Sequence, residues 1–221
     1  MDNETEFIYL NQGNWFELRN INTDKMFPFD IEMLKNEILE QINNRSDKLS
    51  FINITFHSKY PKSTIESIDF YLDKSKFSKI AQMISAETRH PIITFHGTSN
   101  LDAVKSILKN GYIIPDSNNS IKKTHGSAYG CGIYSSPFFE KAMYYTTPDK
   151  IKYVYVLINI VLLAKMKLIP PTGDQNIDQK PPINGCYNDQ TNTRVVYGLD
   201  QLVSADSNRI FPVAVMKINI A

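Results

Sequence analysis

The run Tyr153 to Ala164 (YVYVLINIVLLA) constrains this chain more than any other segment. It holds about a dozen residues, nearly all apolar, whereas a membrane-spanning helix needs roughly 20. Branching at Cβ in its many Val and Ile residues favours extended backbone. The lack of clear alternation implies a strand covered on both faces. The chain must therefore build a sheet around this strand and supply a layer for each side of it. A hydrophobic fraction of 42%, with 12 Tyr and 12 Phe among 221 residues, provides the material for such a core and is unlike bulk disorder. The length suits one large domain, or a catalytic domain behind a smaller module.

Periodicity divides the chain in two. In the first part, Asp30 to Asn43 reads as a helix, with Asp30 as N-cap and Ile31, Leu34, Ile38, Leu39 and Ile42 on one stripe. Ser50 to His57 and Ile65 to Leu72 read as strands separated by a turn from Lys59, and Lys74 to Ser85 returns to helical spacing. These elements suggest a small α+β module over residues 1–88. The strand followed by a Tyr-Pro turn gives it a weak resemblance to ubiquitin-conjugating and RWD-like domains. In the second part, residues 89–221, a short strand (PIITF) leads into His96-Gly97-Thr98. Asn100 then caps a helix that Gly111 ends. A polar loop, Pro115 to Thr124, precedes the glycine-rich GSAYGCGIY, and Pro137 to Tyr145 reads as helix. After the apolar strand comes a Pro/Asn/Asp/Gly-rich stretch at 170–192, followed by strands around Arg194 to Tyr197 and Val213 to Ile220.

Charge and metal chemistry give little to work with. The net charge is +1 from 24 basic and 23 acidic residues, which leaves no electrostatic footprint for nucleic acid or an anionic membrane. Cys131 and Cys186 form no CxxC, and His57, His90, His96 and His125 have no zinc-ligand spacing, so reduced thiols and no metal are expected. The N-terminal MDNETEF is acidic and polar, unlike a secretory signal. A cytoplasmic or nucleocytoplasmic, soluble monomer with no membrane partner is the expectation.

The glycines narrow the chemistry. GxxxGxGxY between a polar loop and a helix matches neither GxGxxG after a strand nor a P-loop, so a dinucleotide-binding Rossmann fold fails on order. Glycines at that density mean tight turns or close backbone approach to a ligand. The whole pattern is FHGTSNLDAVKSILKNGY, a loop, then HGSAYGCGIYSSPFFEKAMYY. It resembles the catalytic domain of the poly(ADP-ribose) polymerases, most closely the mono-ADP-ribosylating branches, over roughly Pro91 to Ala221. The resemblance implies an α+β ADP-ribosyltransferase fold, with two split antiparallel-rich sheets around an NAD cleft and an α+β extension in front. It implies NAD as co-substrate, transfer of ADP-ribose and release of nicotinamide.

Carried across by position, the resemblance assigns the site. His96 would bond a hydroxyl of the adenine-side ribose, which Thr98 would also contact. Gly97 would offer its main chain to the nicotinamide carboxamide, and Tyr134 and Tyr145 would sandwich the ring. Gly132 belongs to the glycine segment beside the dinucleotide. Two positions depart from the family. Ala142 stands where a carboxamide-binding Ser is common, and Thr193 stands where the family has the Glu of its His-Tyr-Glu triad, in NTRVVYGLDQL. Threonine brings no negative charge to an oxocarbenium-like ribose and is no base near neutral pH. Transfer of one unit onto an already nucleophilic carboxylate, rather than chain elongation, is the expected activity. The acceptor is expected to be a protein; the sequence gives no support for nucleic acid. The competing expectation is an NAD- or ADP-ribose-binding module without turnover, acting through the N-terminal part.

Overall fold

The computed structural model describes residues 63–72, 74–86, 91–114, 129, 131–146, 152–169, 193–196 and 201–220, with helical residues 32, 35, 36 and 38–40. The expected strand at 50–57, the loop at 115–124 and the stretch at 170–192 lie outside them.

Among the described residues from 63 onward, eight strands and three α-helices follow in the order β1 (Thr64–Phe70), α1 (Lys74–Ser85), β2 (Ile92–Thr98), α2 (Leu101–Asn110), β3 (Ile133–Ser135), α3 (Phe139–Tyr144), β4 (Tyr153–Val161), β5 (Met166–Ile169), β6 (Thr193–Val196), β7 (Gln201–Ser204) and β8 (Ile210–Asn219). They form two four-stranded sheets, ordered β1-β8-β4-β2 and β3-β7-β6-β5. Every pairing is antiparallel except β5 with β6. This is the α+β arrangement of split sheets that the sequence implies.

β4 is the apolar run, and it is a central strand flanked by β8 and β2. Its alternate residues feed two layers. Val154, Val156, Ile158 and Ile160 pack with Ile80 and Ile84 of α1, Ile38, and Ala142 and Met143 of α3. On the other side Leu157 meets Val104 of α2, and Val161 joins Ile133, Met166 and Leu202 of the second sheet. Each fully buried Ile or Leu contributes roughly 1.5–3 kcal/mol relative to exposure, so the two layers account for the strand's continuous apolarity.

α2 has the ends its sequence predicts. Asn100 Oδ1 accepts from the N–H groups of Asp102 (2.9 Å) and Ala103 (3.2 Å). Gly111, at φ 78°, donates its N–H to Ile107 O, and that left-handed backbone is cheapest for glycine. β5 and β7 carry no strand signal of their own. Each has four residues, and all four of β7 (QLVS) are buried, so no alternation marks them.

The boundary expected near residue 88 does not coincide with a break in packing among the described residues. β1 pairs with β8 from Thr64↔Asn219 to Phe70↔Ala214. Lys217 of β8 reaches Glu66 of β1 at 2.7 Å, and that hydrogen bond holds the Glu66 carboxyl below its ordinary pKa. Among the described residues, β1 and α1 thus share a sheet and a core with β4 and β8. Replacing the buried Ile80 by Ala should lower stability by about 2–5 kcal/mol, within a single urea transition. A loss under about 0.5 kcal/mol, the scale of surface substitutions, would show that α1 is peripheral.

Candidate active site

The site grows from the end of β2. Alternation puts Ile92, Thr94, His96 and Thr98 on one face of the first sheet and Ile93, Phe95 and Gly97 on the other. The two sheets meet here: Phe95 and Ser136 exchange main-chain hydrogen bonds of 2.6 and 2.9 Å in an isolated bridge. One residue on, His96 Nδ1 lies 2.7 Å from Tyr134 O. A carbonyl can only accept, so Nδ1 carries the proton, and in the neutral ring Nε2 is the acceptor nitrogen. The ring also stands edge-on to Tyr112, with centroids 5.4 Å apart at 78°.

Gly97 faces α3. A Cβ on it would overlap Ala142 O and lie 2.8 Å from Thr146 Cγ2. The glycine is required by a contact within the chain, besides any ligand, because the last turn of α3 sits on this main chain. Ala142 is buried at the same contact. Gly132 is similarly constrained: a Cβ would meet Val203 Cγ1 at 2.5 Å and Ser204 O at 2.8 Å. Thr98 Oγ1 accepts from the Asn100 N–H at 3.1 Å, so its hydroxyl steadies the turn into α2.

The two tyrosines are held by their hydroxyls. Tyr134 Oη accepts from the Tyr129 N–H at 3.0 Å, and Tyr145 Oη accepts from Gln201 Nε2 at 2.5 Å. Gln201 is buried in β7, two residues from Val203, the cross-strand partner of Tyr134. Gln201 and Tyr134 therefore share one face of the second sheet, and α3 delivers Tyr145 to that same face. Next to it Tyr144 is 68% exposed, its ring perpendicular to that of Tyr145 at 5.4 Å.

Thr193 is placed differently. It pairs with Ser204, which pairs with Ile133, whereas Tyr134 pairs with Val203. Cross-strand partners share a face, so Thr193 lies on the side of the sheet opposite Tyr134. That side carries Ile133, Leu202 and Met166 into the core between the sheets. Thr193 has no exposed surface, and its hydroxyl has no hydrogen-bond partner among the described residues. The structure thus gathers His96, Gly97, Tyr134, Ala142 and Tyr145, with Thr98 and Gly132 at the margins, and sets Thr193 apart from them.

The segment that carries these residues matches a known family. The model of the poly(ADP-ribose) polymerase catalytic domain covers residues 53–197. The chain belongs to this family. No curated protein matches it. The family match begins ahead of β1, in keeping with a sheet that includes that strand. The catalytic domains of this family are ADP-ribosyltransferase domains that use NAD as co-substrate. Among the described residues no group of three or more His, Cys, Asp or Glu is placed to hold a metal ion, and no helix is long and apolar enough to cross a membrane.

Sequence reasoning missed Tyr112, Tyr129 and Asn159, and carried Gln201 only inside the stretch NTRVVYGLDQL. Asn159 did leave a signal, as the polar interruption of an apolar strand. Tyr129 and Tyr112 left none. Substituting Gly97 by Ala should displace α3. Overpacking of this kind costs typically 1–3 kcal/mol, and overlap with a backbone oxygen places the variant at or above the upper end. Thermal unfolding measures it, and an unchanged midpoint would show that the contact relaxes freely.

Proposed function

We propose that this domain transfers a single ADP-ribose unit from NAD to a protein side chain, without building polymers. The observation that carries the reading is the third triad position. Where the family has a carboxylate this chain has Thr193, buried against an apolar core on the face opposite Tyr134. Polarising the weakly nucleophilic hydroxyl of a previous ADP-ribose calls for a base, and threonine is none near neutral pH. A carboxylate side chain on the acceptor is already nucleophilic and needs no such help. In this reading the glycosidic bond between ribose and nicotinamide breaks, the acceptor oxygen bonds to the ribose carbon, and nicotinamide leaves.

His96, with Nδ1 tied to Tyr134 O, would direct Nε2 at a ribose hydroxyl. Gly97 would meet the carboxamide through its main chain, and Tyr134 and Tyr145 would receive the nicotinamide ring between flat faces. Their hydroxyls are engaged by the Tyr129 N–H and by the Gln201 amide. Ala142 adds no hydroxyl for the carboxamide, so affinity for nicotinamide is expected to be modest.

Thr193 also favours a second reading, a domain that binds NAD without turnover, since the site gains no charge from it. Incorporation of label from adenylate-labelled NAD decides between them. A mono-transferase should yield discrete, unladdered label, reduced on the order of 100-fold by His96→Ala and by Tyr134→Ala. Laddered product would overturn the single-unit reading. Calorimetric NAD binding with no label in any acceptor lysate would overturn transfer and leave the binding module.

A further inference from the structure

β4 is apolar from end to end except at Asn159, which has no exposed surface. A buried amide in such a strand is unfavourable unless its polar atoms are engaged. Both are: Tyr112 donates its hydroxyl to Asn159 Oδ1 at 2.8 Å, and Asn159 Nδ2 donates to Thr94 O at 3.5 Å. Tyr112 is itself buried, and burial holds its phenol protonated well above the usual range for tyrosine. Its ring stands across that of His96, which lies two residues beyond Thr94 on the same face of β2.

The sheet is irregular at this point. Asn159 faces Pro212 of β8, while Ile158 faces Ala214, so Val213 is an extra residue in β8. Proline has no N–H to give the ladder, and bulges of this kind re-aim side chains next to functional sites. Two features that a plain central strand would avoid, a buried amide and a proline opposite it, thus coincide behind one half-buried histidine.

We infer that Tyr112 and Asn159 are positioning residues for His96. Asn159 fixes the phenol of Tyr112, whose ring packs across one side of the imidazole, while Tyr134 O fixes Nδ1. Between them the ring plane and the tautomer are set before any substrate arrives, and Nε2 has a single direction. A misdirected acceptor nitrogen would weaken a ribose hydrogen bond without changing the fold. The inference rests on the reading of His96 as a ribose-binding residue only for its catalytic consequence; the orientation itself can be read without NAD.

The test is ¹⁵N NMR of the His96 ring in the full chain, assigned by the signal lost in His96→Gln, together with the NAD KM. The wild type should show one tautomer with the proton on Nδ1. Tyr112→Phe should broaden or split that signal and raise KM about three- to ten-fold, the scale of one lost neutral hydrogen bond, with kcat changed less. Tyr112→Phe combined with Asn159→Leu removes both polar partners. It should recover thermal stability without restoring the single His96 signal, a separation that a merely structural pair would not produce. An unchanged His96 spectrum in Tyr112→Phe would overturn the inference. If that variant does not fold, the double variant takes its place, and an unchanged His96 spectrum there overturns the inference equally. A changed spectrum with unchanged KM would leave the positioning intact and overturn the assignment of His96 to NAD.

Discussion

The site depends on the corner where the two sheets touch. Two sheets that meet edge to edge need a joint that sets their angle, and here it lies where β2 meets the strand end at Ser136. The paired Phe95 and Ser136 hydrogen bonds and the His96–Tyr134 contact lie within two residues of one another. The same few atoms therefore hold the sheets together and orient the imidazole. α3 completes the corner by pressing its last turn onto Gly97 and is tied to the second sheet through Tyr145 and Gln201. His96, Tyr134 and Tyr145, from both sheets and a helix end, thus converge because the joint is built from their own main chain.

Much of this is encoded locally. The Asn100 and Gly111 caps, the helix at 74–85 and the apolar central strand follow from residue type and spacing, because each is fixed by neighbours in sequence. β5 and β7 are hidden because strands of four residues, in β7 all of them buried, show no period. The extent of the first sheet is hidden for a different reason. β1 pairs with β8 about 150 residues away in the chain, and nothing in the composition near residue 88 reports that ladder. At the site, the ordered motif names His96, Gly97, Tyr134 and Tyr145, which the fold brings together. What holds them (Gln201, Tyr112, Asn159) depends on contacts between elements and is legible only in part, at Asn159.

The case of Thr193 separates two kinds of information that alignment by pattern merges. Matching NTRVVYGLDQL to the family's strand addresses which residue occupies a position. The ladder determines which way that residue faces, and here it pairs Thr193 with Ser204 rather than with Val203. A hydroxyl placed among Ile133, Leu202 and Met166 is in a poor environment for charge even if a carboxylate were restored there, since burial without partners penalises the ionised form.

The bulge in β8 has a consequence for how this chain tolerates change. Val213 and Ala214 are neighbours, yet both enter the same core layer, and the phase of the strand switches between them. Phe211 and Val213 keep one phase, and Ala214, Met216 and Ile218 keep the other. Loss of the extra residue, Val213, would leave Pro212 opposite Asn159 and Ala214 opposite Ile158 in a regular ladder with both sets still facing the core. A single-residue insertion elsewhere in the strand would instead turn one set toward the wrong side of the sheet; the turn at Ser207–Arg209 sits outside the ladder. Length variation in related chains should therefore collect in that turn and at the bulge, and spare the rest of β8.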